Sequence, residues 1–184
     1  MSERKIYIKN DMLSLTEHLT EDNLDLYNGW HDEEVQQGYN YKFEKTFDEW
    51  LSQNIERENF HYTSNCAIIL NENNKLIGSI GVSIFPDEPD DMSIRIFKPY
   101  RNQGYGTIAF ALGAKYCFDV LGLEKIYAGC YPDNIRSMKM LEKCGFIPHP
   151  EGNIEEKHYI TGEPITQFDF VLSKENYKKL NLED

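Results

Sequence analysis

The sequence predicts one α+β domain, a mixed and mostly antiparallel sheet with helices on both faces. Three observations carry this. Stretches of apolar alternation, which suit strands, interleave with stretches of helical periodicity in the order β–α–α–β–β–β–α–β–α–β–β. No repeat, linker or low-complexity segment divides the 184 residues, so the domain is read over 1–184. The centre of the chain, Met92 to Cys117, joins a strand to a long buried helix through a loop holding Gly104 and Gly106.

The elements follow in order. Ile6–Ile8 and Leu13–Leu15 are short strands around Asn10-Asp11, and Thr20 with Glu21 and Asp22 starts a helix that continues through Leu24, Leu26, Tyr27 and Trp30. Gly38 to Phe43 is aromatic and aperiodic, hence loop. Thr46 caps a helix with Glu49 at the capping-box position. Cys66–Leu70 and Leu76–Ile84 are strands around a turn at Asn71–Asn74, and Pro86–Asp91 is an acidic loop. Met92, Ile94 and Ile96 alternate with Ser93 and Arg95 in a half-buried strand that ends before Pro99. After Thr107 comes a helix ending at Gly122, then a strand at Lys125–Cys130. A helix opened by Asp133-Asn134 and closed by Gly145 follows, and then a strand from Phe146. Lys157–Ile160 and Gln167–Leu172 form a hairpin around Thr161–Pro164, and Lys174–Leu180 is a final helix.

Composition narrows the function. With 40% hydrophobic and 13% aromatic residues the chain is not of the disordered class. No apolar run approaches the roughly 20 residues of a membrane span, and Met-Ser-Glu-Arg-Lys has no leader-like apolar region. Cys66, Cys117, Cys130 and Cys144 form no C-x-x-C pair, so neither a metal site nor a disulfide framework is expected, and reduced thiols fit the cytoplasm. A net charge of −12 argues against nucleic acid as a partner. It suits a cationic substrate drawn in by the summed field, or simply solubility.

Arg101-Asn102-Gln103-Gly104-Tyr105-Gly106-Thr107 between strand and helix has the makings of an anion site. A helix start presents unpaired N–H groups and positive potential, glycine permits close approach, and Arg101 adds a charge. The bland alternative is a tight turn. A P-loop lacks its Gly-Lys-Ser/Thr here, and a dinucleotide fingerprint lacks its third glycine.

This loop resembles, residue for residue, the Arg/Gln-x-x-Gly-x-Gly/Ala loop of the GNAT superfamily of acetyl-CoA-dependent N-acetyltransferases. A second block, Asn134-Ile135-Arg136-Ser137 leading to Glu142-Lys143-Cys144-Gly145-Phe146, resembles the family's Asn-x-x-Ser/Ala helix and its Glu-Lys-x-Gly-Phe ending. The resemblance implies acetyl-CoA as cosubstrate, with Arg101, Asn102, Gln103, Gly104, Tyr105, Gly106 and Thr107 around its pyrophosphate. It implies an oxyanion met by main-chain N–H near Ile96 or Phe97, and pantetheine contact at Asn134, which also reads as a plain N-cap.

Leu141 stands where many members carry a catalytic tyrosine. In the Rim-type branch, which acetylates ribosomal-protein N-termini and small amines, a serine three residues after the Asn is the thiolate partner. Here that is Ser137, which could equally be a small packing residue; Tyr131 is a further candidate hydroxyl. The family's glutamate base falls on Asp91, beside Asp90, or these two are merely solvated aspartates. Trp30-His31-Asp32-Glu33-Glu34-Val35 resembles the segment that walls the acceptor pocket, making Trp30, His31, Glu33 and Glu34 substrate-side candidates.

The implied acceptor is a primary amine: a peptide N-terminus, a polyamine or an aminoglycoside-like molecule. A homodimer is implied by family habit and by a Phe168-Asp169-Phe170 edge. Two other readings are a catalytically weak acyl-CoA-binding regulator and a plain α/β interaction domain.

Overall fold

The computed structural model describes residues 4–59 and 63–180, so the outermost ends of the domain read over 1–184 lie outside the described residues. Strands β1 (Ile6–Lys9) and β2 (Leu13–Thr16) form the first hairpin. Three helices follow: α1 (Asn23–Asn28), α2 (Glu33–Gly38) and α3 (Phe47–Asn59). Then come β3 (Thr63–Leu70), β4 (Lys75–Ser83) and β5 (Asp91–Ile96), the long helix α4 (Tyr105–Asp119) and β6 (Lys125–Cys130). Helix α5 (Ile135–Lys143), β7 (Ile147–Pro148), β8 (Ile154–Lys157), β9 (Pro164–Ser173) and α6 (Lys174–Leu180) complete the chain.

Among the described residues the sheet runs β1-β2-β3-β4-β5-β6-β9-β7, with β8 paired to β9. Every pairing is antiparallel except β5 with β6, which meet in parallel at a single bridge, Asp91 with Tyr127. Beyond that bridge the two strands separate and the sheet splits.

Local rules place most of the elements. Thr46 and Glu49 form the expected box: the Glu49 carboxylate accepts from the Thr46 N–H at 2.8 Å, and Thr46 Oγ1 accepts from the Glu49 N–H at 3.3 Å. The main core lies between sheet and α4, where Phe110, Cys117 and Phe118 meet Leu13, Ile68, Ile80, Met92 and Leu172. A second, aromatic cluster under α1–α3 is built from Leu26, Phe43 and Trp50, with Tyr27, Trp30, Phe47 and Phe97 packed on it.

Three expectations change. The helix expected to run through Trp30 ends at Asn28, and a separate helix α2 follows, capped by Asp32 accepting from the Glu34 and Val35 N–H groups at 3.0 and 3.3 Å. The last hairpin begins at Ile154, and His158–Ile160 is a turn in which His158 Nδ1 accepts from the Ile160 and Thr161 N–H groups. The Phe168–Phe170 segment is not an edge, because β6 pairs along one side of it and β7 takes Phe170 on the other. The strand-edge motive for a homodimer therefore falls away.

Candidate active site

The split between β5 and β6 opens a cleft of about 540 Å³. Its wall is main chain. Antiparallel neighbours alternate the direction of their hydrogen-bonding groups. The Phe97 N–H donates across to the Ile77 carbonyl at 2.8 Å, so the groups of Ile94 and Ile96 point the other way, into the cleft. Their carbonyls are taken, Ile94 by the Tyr39 hydroxyl at 3.2 Å and Ile96 by Arg101 Nε at 2.9 Å. What remains free is N–H. The Ile96 amide thus faces the cleft, whereas the Phe97 amide is committed to β4 and its ring belongs to the aromatic cluster. The Phe97 amide, named with Ile96 as the main-chain donor, is therefore not available to the cleft, and the next amide that faces it is that of Ile94, one step deeper.

At the mouth lies the start of α4. Gly104 is its N-cap at φ +85°, a left-handed conformation that favours glycine, and no side chain caps the helix there. A Cβ at Gly104 would meet nothing within 4 Å, so the approach to the first-turn amides of Tyr105, Gly106 and Thr107 is open. Asn102 at φ +61° and a hydrogen bond from Gln103 Nε2 to the Pro99 carbonyl at 2.9 Å shape the turn.

Arg101 is less free than expected. Its Nη1 sits 3.1 Å from Asp32 and 3.4 Å from Glu34, and Arg136 also reaches Glu34, at 2.5 Å, and Asn102, at 3.3 Å. The guanidinium fastens the loop to the start of α2, and the exposed Arg136 is the cation nearer solvent.

From the other wall, α5 brings Asn134 and Ser137 into the cleft. Asn134 Oδ1 accepts from the Ser137 N–H at 3.1 Å, the N-cap reading, and both residues line the cleft. Leu141 is fully packed and Tyr131 is buried, its hydroxyl donating to Glu156 rather than to the cleft.

The apex holds the titratable groups. Asp91, read as part of a solvated loop, is the first residue of β5, and burial, with the nearby Asp169 charge, pushes its carboxyl up to about 6. Asp90, beside it, is raised by partial burial. Asp169 on β9 is raised by burial too, though His149 opposes that through a 2.8 Å contact from Nδ1 to the carboxylate. The His149 ring meets Tyr127 edge-on at 5.3 Å. Gly152 presses on this pair so closely that a Cβ there would lie 2.1 Å from Asp169 Oδ2 and 2.6 Å from His149 Nδ1. Sequence reading missed His149 and Asp169; the only signal was the alternation that sets Asp169 opposite Phe168 and Phe170.

The substrate-side candidates divide. Glu34 lines the cleft mouth. Trp30 lines a second cavity, on the side of the sheet covered by α1–α3. His31 is exposed and packs edge-on to Tyr27 and Phe43, and Glu33 is exposed; neither lines either cavity. No group of three or more metal-ligating side chains, and no helix long and apolar enough to cross a membrane, occurs among the described residues.

A probable N-acetyltransferase, YjcK, of Bacillus subtilis is 31% identical over 64% of this chain and 64% of its own. The crystal structure of a spermidine N-acetyltransferase from Vibrio cholerae in complex with CoA and spermine superposes with a TM-score of 0.82 at 18% identity, covering 92% of this chain and 99% of that one. A ribosomal-protein-S5-alanine acetyltransferase from Vibrio fischeri superposes at 0.71 with 17% identity, covering 92% and 97%. These two share the fold. The sequence profile of the acetyltransferase (GNAT) domain matches residues 13–147. The chain belongs to the GNAT family and is an N-acetyltransferase.

Proposed function

We propose that the protein transfers the acetyl group of acetyl-CoA to a primary amine by direct attack within the β5–β6 cleft. One observation carries the reading: the lone Asp91–Tyr127 bridge frees the Ile94 and Ile96 N–H groups along a groove that ends in carboxylates. The first turn of α4 and Arg136 would hold the pyrophosphate, and Arg101 would fix the loop that presents those amides. The β5 amides would hold the pantetheine arm and, at Ile94, meet the oxyanion.

The amine must lose a proton, since a free alkyl ammonium has a pKa of about 10.4. Asp91, largely ionised above pH 6, is placed to take that proton, and the His149–Asp169 pair to pass it outward. The attacking nitrogen forms the amide bond as the carbon–sulfur bond breaks, and the second proton it sheds passes through the Ser137 hydroxyl to the departing thiolate, leaving the hydroxyl as it was. The acceptor enters from the side of α1–α3, where Trp30 lies. Four unpaired thiols suit a reducing cytoplasm, which the proposal adopts.

The test is release of CoA thiol in the presence of amine acceptors. Turnover that needs both acetyl-CoA and an amine supports the proposal, and acetyl-CoA binding without transfer to any acceptor contradicts it. Arg101→Ala combined with Gly104→Val should weaken CoA affinity by about a hundredfold or more, through a loosened loop and a blocked approach to the amides.

A further inference from the structure

On the face of β5 turned away from the main core, Arg95 is only 8% exposed, and no carboxylate comes within ion-pairing distance of it among the described residues. Its guanidinium lies 4.4 Å from the centre of the Trp30 ring, its Nη2 makes only a long 3.5 Å contact with Ser79 Oγ, and its Nε has no hydrogen-bond partner. Burial draws it down to about 10, so it remains charged at neutral pH. Buried charges are ordinarily paired, because taking one out of water without a counterion costs several kcal/mol. A second orphan lies nearby: His18 Nε2 is buried without a partner among the described residues, and burial lowers that imidazole, with the Arg95 charge as a lesser cause.

Both residues line the second cavity, about 710 Å³, where Arg95, Lys45 and Arg57 face the carboxylates Glu58 and Asp91. In a chain carrying 31 acidic and 19 basic residues, this is a local surplus of positive charge. The cavity adjoins the cleft across β5, and Tyr39, Asp91, Ser93 and Arg95 line both.

We propose that the acceptor carries a carboxylate as well as its amine, with the carboxylate paired to Arg95 in the aromatic pocket and the amine directed to the Asp91 end of the cleft. This deepens the acetyl-transfer reading and rests on it. Asp91 and Arg95 stand four residues apart on one strand, about 13 Å between Cα atoms, which sets the scale of the separation between the two groups of the acceptor. Trp30, Tyr39 and Phe43 supply apolar walls for the chain between them. A polyamine offers nothing to Arg95 and places a second cation beside it.

The experiment uses the full chain with acetyl-CoA and a series of linear amino-carboxylic acids, each compared with its own carboxamide, and a polyamine. A charge-assisted contact made by one partner and not the other should favour the acid by about tenfold to a hundredfold in kcat/KM at the best chain length. In Arg95→Met that ratio should collapse toward one, and Arg95→Lys should restore part of it. Should Arg95→Met fail to fold, wild-type protein answers directly. Linear monocarboxylates lacking the amine should perturb tryptophan fluorescence, since Trp30 touches the guanidinium, and should compete with the acceptor but not with acetyl-CoA. Acid and amide turned over equally, a ratio unchanged in folded Arg95→Met, or no carboxylate binding would each overturn the inference. Calorimetry with acetyl-CoA separates the failures. If acetyl-CoA binds and amides or polyamines are acetylated as well as acids, only this inference falls, and if acetyl-CoA does not bind, the acetyl-transfer reading falls with it.

Discussion

The two hydrophobic clusters of this molecule do different work. The core between the sheet and α4 is aliphatic and phenyl, with Leu13, Cys66, Ile80 and Leu172 wholly buried, and it encloses no charge. The cluster under α1–α3 is small and aromatic, with Tyr27 meeting His31, Phe43, Phe47 and Trp50 edge-on, and it covers the unpaired Arg95. Strand β5 lies between them. One face, through Met92, joins the core; the other carries Asp91, Ser93 and Arg95 to the second cavity. A close-packed core built of apolar side chains, thiols and the Tyr116 ring holds the split sheet rigid, and the aromatic layer provides a setting in which charges can be buried and used.

Truncation of each cluster probes the division most strongly. Phe110→Ala, at 1% exposure in the main core, should cost about 3–5 kcal/mol of global stability. Trp50→Ala should cost less, about 1–3 kcal/mol, and open α1–α3 locally while the sheet stays folded. Equal global losses in denaturant titrations would mean that the clusters form one cooperative unit.

Next comes Asp91→Asn. At pH 7 it should lower kcat/KM by about a hundredfold, within the usual range for a lost proton acceptor. In the wild type the rate should decline as pH falls through about 6, where Asp91 takes up its proton. Stability runs the opposite way. Folding raises this carboxyl, so the folded chain binds the proton more tightly than the unfolded chain. The stabilising contribution is present below the ordinary carboxyl value near 4 and is lost as pH rises through about 6. Asp91→Asn should therefore be the more stable protein at pH 8, by on the order of 2 kcal/mol, with the advantage vanishing toward pH 4. A variant that is inactive and also less stable at pH 8 would show that Asp91 serves the fold instead of the reaction.

The smallest effect belongs to Ser137→Ala. A serine hydroxyl is a weak acid, so kcat should drop only about tenfold while the acetyl-CoA KM stays nearly level, the pattern of a contact made in the transition state. Full kcat with a good acceptor would leave Ser137 as a packing residue on α5.

How much of this was legible depended on distance along the chain. Thr46 with Glu49, Asn134 with Ser137, and the left-handed Gly104, Gly122 and Gly145 act within a few residues, and the sequence displays them directly. The family resemblance points to Asp91, but its burial depends on β6 and β9 arriving beside β5. His149 and Asp169 meet only through the pairing of β7 with β9, which no local pattern specifies. Arg95 alternates with apolar neighbours and reads as the solvent face of a strand; it is interior because three helices from the first third of the chain cover it.

Amide hydrogen exchange on addition of CoA tests the central claim most directly, because the alternation of β5 fixes which amides are free. The account predicts that Ile94, Ile96 and the first turn of α4 become protected, while Phe97, already bonded to Ile77, changes little. Protection confined to the cavity around Trp30 and Arg95, or none along β5, would contradict the placement of acetyl-CoA in the split between β5 and β6.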